Sequence, residues 1–307
     1  MGIRPMVHLV HRSKTGLIAP PWSELKEALQ GLRNQVDIIV DACQARIDPS
    51  LLNEYLAEGA MVLWTGSKFI GGAPFSGALM VPPALSERAR NKTSLPKGLG
   101  DFFTRSEWPD EWKGADNILP FKENFGLLLR CESALFELER LISMPETLSE
   151  TVINSFYDSV LTMARDSEIF ELLAPHPMGR EISACTNHPF EKEMIFTLAI
   201  NASHPQTGEP LTHEDARDLY RYLFSDLSFK RTGEEYVLSS IIHVGQPVKG
   251  FPLGGGKWRA TLRLALGAPM INSIAMLHRE RIRERFRLDM ELFLEKTKLA
   301  INILGER

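Results

Sequence analysis

The chain has 307 residues, 44% of them hydrophobic and 24% charged, with a formal net charge of -4. That balance suits a folded globular protein of about two domains and argues against a disordered chain, a collagen-like repeat or a coiled coil. The slight acidity removes any global attraction to nucleic acid or anionic lipid. Cys43, Cys131 and Cys185 are too few and too scattered for a disulfide framework or a zinc site, and they fit a reducing cytosol. No stretch approaches the ~20 apolar residues of a membrane helix, and the N-terminus has no apolar core suited to a signal peptide.

In chain order, short apolar runs at Val7–Val10, Val36–Val40, Ala60–Trp64 and Gly77–Val81 read as strands. They lack clean alternation, which suits strands covered on both faces, as in a parallel sheet. Between the second and third lies a helix over Pro49–Glu58. Asp48 can cap it, Pro49 suits its first turn and Gly59 can end it. Residues 36–64 therefore form a strand–helix–strand unit of a doubly wound sheet. Residues 84–118 are charged and broken by Pro96, Gly98, Gly100 and Pro109, and read as a long excursion anchored by Trp108 and Trp112.

From Phe121 to Leu173 the pattern is helical, broken at Pro145. A second, α+β domain follows. Strands are expected at Met194–Ile200, Tyr236–Val244 and Arg259–Leu266. A Thr-capped helix is expected over Thr212–Asp226, and a long helix, with room for a break, from Pro269 to about Leu304. The expected domains are thus 1–145 and 146–307.

The chemistry concentrates in Asp41-Ala-Cys-Gln44 and Thr65-Gly-Ser-Lys68, followed by the Gly-rich Gly71–Gly77. Both clusters lie at carboxyl ends of adjacent strands, the rim where open α/β sheets bind ligands. A lysine there can form an imine with a carbonyl compound. A nearby carboxylate can hold a heteroaromatic nitrogen protonated, and Thr65 and Ser67 can hydrogen-bond a phosphate. These parts suit pyridoxal phosphate.

The run from Asp41 through Gln44 to Lys68, twenty-seven positions after the aspartate, resembles the cofactor core of class V aminotransferases. These are fold-type I pyridoxal phosphate enzymes, related to the cysteine desulfurases. Ser13-Lys-Thr-Gly16 with Pro20, Gly245-Gln-Pro-Val248 and Leu262-Arg-Leu-Ala-Leu-Gly267 resemble further segments of that family. The resemblance implies that Lys68 is the Schiff-base lysine and proton carrier. It implies that Asp41 pairs with the pyridinium nitrogen, Gln44 bonds the phenolic oxygen, and Thr65 and Ser67 contact the phosphate. Arg263 would grip the substrate carboxylate. Strand alternation places Arg259, Thr261 and Arg263 on one face and Ala260, Leu262 and Leu264 toward a core.

The same resemblance implies a transaminase acting on an amino acid or related amine, as a cytoplasmic homodimer. A lyase, decarboxylase or epimerase remains compatible with it. Ser183-Ala-Cys-Thr186 precedes the small-domain strand and helix, unlike a desulfurase's sulfur-accepting loop, so Cys185 reads as an ordinary residue. The family's lysine comes well into its chain; here it is residue 68. The first strands of the large domain are therefore expected to be missing, to be supplied by a separate chain if at all. The alternative reading is a truncated or split non-catalytic homologue that acts as a structural or interaction subunit.

Three further features read as structural. Gly254-Gly-Gly256 is a strand connection, and the arginines at 279, 281, 283, 285 and 287 form a solvated helix face paired with Glu280 and Glu284. His176, His188, His204 and His213 show no metal-ligand spacing.

Overall fold

Apolar runs bracketed by turn residues give the first sheet. The computed structural model describes residues 4–14, 17–92, 95–173 and 192–306. Thr15, Gly16, His176, Ser183, Cys185, Thr186 and His188 lie outside the described residues. The chain divides into two compact units, one running to Ser143 and the other beginning at Met144.

In the first unit, strands β1 (Met6–Val10), β2 (Asp37–Asp41) and β3 (Ala60–Thr65) are parallel, and β4 (Gly77–Met80) runs antiparallel beside β3. Helices α1 (Trp22–Ala28) and α2 (Pro49–Ala57) supply the crossovers. The Asp48 carboxylate accepts the Ser50 amide at 2.7 Å, and Gly59 follows the helix at φ +80°, so both ends of α2 are fixed as its sequence predicts. Leu9, Ile38, Val40, Ala60 and Val62 point into one core with Trp22, Leu25, Leu51 and Tyr55. Their alternate neighbours Ile39, Met61 and Leu63 are only half-buried, while Met6 and Leu79 are 59% and 47% exposed. The unbroken apolar runs predict two covered faces; one is closed here and the other half-open.

Helix α3 (Pro83–Arg90) opens the excursion, which continues as three short 3-10 turns. Buried Arg105 holds it together through Asp116 and the carbonyls of Trp108 and Asp110. Trp112 donates to the Ser86 hydroxyl at 3.1 Å and meets Trp108 edge to face. Helix α4 (Phe125–Ile142), capped by Asn124, ends the unit.

The second unit begins with α5 (Glu146–Asp166). Its sheet has β5 (Phe170–Leu173), β6 (Ile195–Ile200) and, beyond it, β9 (Thr261–Ala265), all antiparallel. Between β6 and β9 come α6 (His213–Leu223), α7 (Glu235–Ser239) and the hairpin β7 (Pro252–Gly254) and β8 (Lys257–Trp258). Helices α8 (Ala268–Ile274) and α9 (Arg279–Asn302) close the chain.

Several expectations are corrected. Residues 170–173 are a strand, not the end of a helix. The run Tyr236–Val244 forms the short α7 and then an extended stretch that leads into an isolated Gly245–Arg263 bridge to β9 rather than a strand ladder. The break allowed for in the C-terminal helix falls between Ile274 and Arg279. Arg285 and Arg287 pair with Asp289 and Glu291, four residues on, rather than with Glu280 and Glu284. Gly254, Gly255 and Gly256 all take positive φ in the β7–β8 turn, where they serve as a strand connection. No helix among the described residues is long and apolar enough to cross a membrane.

Candidate active site

Strand β3 delivers Thr65 to the rim, and the next eleven residues fold into a tight loop. The Gly66 amide and the Thr65 hydroxyl both donate to the Ser76 carbonyl, at 2.8 and 2.9 Å. Gly72 donates back to the Gly66 carbonyl at 2.8 Å, and Gly71 to that of Lys68 at 3.1 Å. Phe69 and Ile70 are buried beneath the loop, so Lys68 between Ser67 and Phe69 is turned outward and exposed.

Glycine is required here for space. A Cβ on Gly66 or Gly72 would lie 2.4 or 2.5 Å from the Ala134 methyl of α4. The backbone of the loop therefore rests directly on that helix, and Ser133 accepts the Ala73 amide at 3.0 Å.

Strand β2 ends at Asp41 on the half-open face. Its Oδ1 accepts the Cys43 amide at 3.0 Å, which fixes the carboxylate. Burial pushes the Asp41 carboxyl up. The Cys43 hydrogen bonds and the charges of Lys68 and His8 outweigh it, so the group sits below the ordinary carboxylate value. The Cys43 thiol moves the other way, to about 11, through burial and the adjacent Asp41, and is no nucleophile at neutral pH. Gln44 follows in the same turn, half-buried; Ala45 then takes φ +53°.

Beneath this rim, His11 contacts the Tyr55 hydroxyl through Nδ1 (3.0 Å) and the Arg46 carbonyl through Nε2 (3.3 Å). A carbonyl only accepts, so Nε2 carries the proton and Nδ1 accepts from Tyr55. Arg46 stacks its guanidinium 4.8 Å over the Phe69 ring. This support was not apparent in the sequence, because its members lie far apart along the chain.

Asp41, Gln44, Thr65, Ser67 and Lys68 thus occupy one rim of one sheet. The Thr65 hydroxyl gives its proton to Ser76 and lies 3.2 Å from the Ser67 hydroxyl, which leaves Ser67 the freer donor of the two. An ionised acid within electrostatic reach of an exposed lysine can hold a protonated ring nitrogen while the amine reacts.

Arg263 belongs to the second unit. It is 9% exposed, and residues 245–248 cover its strand face. Its Nε donates to the Gln246 carbonyl at 2.7 Å, and the Gly245 amide donates to its carbonyl at 2.7 Å. A Cβ on Gly245 would come within 3.0 Å of the Arg263 Cβ, so this approach also needs glycine. Burial draws the guanidinium below its ordinary pKa, with Tyr220 opposing. Arg259, outside the strand, pairs with Glu171 at 2.8 Å.

No family model matches this chain, and no curated protein does. Among solved structures, Lactobacillus brevis glutamate decarboxylase is similar at 14% identity and a TM-score of 0.51, over 98% of this chain and 55% of its own. Sphingomonas wittichii serine palmitoyltransferase is 12% identical at a TM-score of 0.44, over 96% of this chain and 55% of its own. A structure described as SPT with PLP is 16% identical at 0.41, over 97% and 56%. The chain spans a little over half the length of these proteins. The decarboxylase likeness shows the fold: an α/β unit with a largely parallel sheet, followed by an α+β unit.

Proposed function

We propose that this chain carries the lysine-bearing part of a pyridoxal phosphate-dependent enzyme, of class V aminotransferase type, acting on an amino acid or related amine. The observation that supports it most is the rim itself. An acid kept ionised and an exposed lysine converge at the carboxyl ends of adjacent parallel strands, on a loop locked by glycine contacts. The residues present fit the cofactor's chemistry, since a ring nitrogen held protonated needs an ionised, oriented acid, and Asp41 is both.

Pyridoxal phosphate supplies, when bound, an electron sink for charge developing at the substrate's α-carbon. The chain's own residues do the rest. Asp41 holds the ring nitrogen protonated, and Gln44 donates to the phenolic oxygen. Ser67, with Thr65 beside it, faces the phosphate. Lys68 Nζ would be the amine that holds the cofactor and the base that moves the proton at the substrate's α-carbon. Arg263 binds the substrate carboxylate through its planar fork. The reading includes a homodimer and a cytoplasmic setting, which the free thiols of Cys43 and Cys131 support. In this reading residues 1–145 would serve the cofactor and 146–307 would form the small domain.

A second reading, a non-catalytic interaction subunit, draws on exposed apolar surface in the first unit. On α4, Phe125, Leu128, Leu129, Leu135, Phe136 and Ile142 are all at least half exposed, alongside Met6 of β1. A separate polypeptide that extends the sheet would add at β1, an edge strand whose Met6 is 59% exposed. The readings part in one assay. With cofactor, an amino acid and a keto acid, the enzyme turns over and the Lys68→Ala variant does not. If wild type and variant are equally inert, while a partner that covers α4 binds both, the subunit reading stands.

A further inference from the structure

Lys296 is the one lysine of α9 placed on its buried stripe, with Phe286, Met290, Phe293, Thr297 and Ala300. It is completely buried. Its Nζ donates to three backbone carbonyls: Leu223 at 3.1 Å, Ser225 at 2.8 Å, and Ser240. An ammonium has three donors and no acceptor, so the group is fully used. Leu223 and Ser225 lie at and just after the end of α6, and Ser240 just after α7. One side chain thus ties the ends of two helices to a third.

What leaves this knot is the segment that holds Arg263. The Leu223 carbonyl also accepts the Ile242 amide at 2.9 Å, so residues 240–242 are pinned twice. Three residues on, Gly245 bonds Arg263 and the Gln246 carbonyl receives its Nε. Val248 is then secured at both its amide and its carbonyl by the Thr261 hydroxyl, at 3.1 and 2.5 Å. Burying an ammonium is costlier than burying an apolar side chain of its size, which points to fixed geometry as its return.

We propose that Lys296 is a positioning residue for Arg263: it fixes the start of segment 240–248, and so the carbonyl against which the Arg263 guanidinium is set. The positioning stands on contacts within the second unit; its meaning for substrate rests on reading Arg263 as the carboxylate-binding group. Burial lowers the Lys296 pKa to about 8, and Asp226, just past α6, is the opposing charge that acts on it. Above that pH the neutral amine offers two donors to three carbonyls. Segment 240–248 then loosens at its start.

The test uses the whole chain. The Arg263 Nε–H resonance, assigned with Arg263→Gln, is followed by 15N correlation NMR in wild type, Lys296→Met and Lys298→Met. The expected result is a wild-type resonance that titrates with a midpoint of about 8. Lys296→Met displaces it and removes the titration, while Lys298→Met on the exposed face leaves both intact. Succinate is the carboxylate probe. Its affinity falls about tenfold in Lys296→Met and in Arg263→Gln, and no further in the double variant.

An Arg263 resonance that ignores Lys296→Met in a cooperatively folded protein overturns the proposal. If Lys296→Met does not fold, Lys296→Arg takes its place, and an Arg263 resonance that it leaves unmoved overturns the proposal. If the resonance responds as expected but Arg263→Gln binds succinate like wild type, the carboxylate role of Arg263 fails and the positioning stands.

Discussion

The lysine loop of the first unit and the Arg263 strand of the second are held by opposite means. Around Lys68 the constraint is space: backbone lies against the Ala134 methyl, and only glycine fits at 66 and 72. Around Arg263 the constraint is polar: the Thr261 hydroxyl, the Gln246 carbonyl and the Lys296 ammonium hold an irregular segment that has no ladder of its own. Under the proposed function, Lys68, which would move between two partners, is carried on a rigid loop and left exposed at its tip, while Arg263, which would hold one orientation, is buried and bonded.

The largest expected effect breaks the steric side. Gly72→Val forces branched carbons into Ala134 and is expected to cost about 3 kcal/mol in urea unfolding, with partial recovery on adding Ala134→Gly. A cost under about 0.5 kcal/mol, typical of an open surface site, would show that the loop is not locked.

On the polar side, Thr261→Val keeps the shape but leaves the Val248 amide and carbonyl unpaired. About 2 kcal/mol is expected, with Arg263 mobility rising by NMR. Smaller again is Asp48→Ala, which uncaps α2 for about 1 kcal/mol by removing the acceptor of the Ser50 amide.

The rim's electrostatics add a pH signature. The folded Asp41 pKa lies below its ordinary 3.8. The stabilisation is therefore complete above that value and is lost as pH falls through the lower, folded pKa. The difference in urea midpoint between wild type and Asp41→Asn should be constant at neutral pH and close at strongly acid pH. A difference that instead grows on acidification contradicts an ionised, stabilised Asp41.

The lysine half was legible in the sequence because its signals are local. Asp48, Pro49 and Gly59 mark α2, and the strand ends place Asp41 and Lys68 on one rim by topology alone. The Arg263 half was harder to read because its decisive contacts are distant. Residues 236–244 look like a strand by composition, yet Ile242 bonds Leu223 and Ser240 bonds Lys296, so no ladder forms. Strand β5 is only Phe170–Leu173, too short to stand out at the end of a helical pattern. Lys296 did leave a trace, as the charge three residues after Phe293 and four before Ala300 on an otherwise apolar stripe. The neighbouring arginine run masked it. Alternation placed Arg263 on one strand face, but the packing of residues 245–248 over that face left no local signal.

The central claim is that Lys68, among all the lysines of the chain, is placed to bond the cofactor. The direct measurement incubates the whole chain with pyridoxal phosphate, reduces it with borohydride and maps the modified peptide by mass spectrometry. The account predicts near-stoichiometric labelling of Lys68, and loss of that label without redistribution in Lys68→Ala and its sharp reduction in Asp41→Ala. Labelling scattered over exposed lysines, with Lys68 no more modified than the rest and Asp41→Ala without effect, would contradict it.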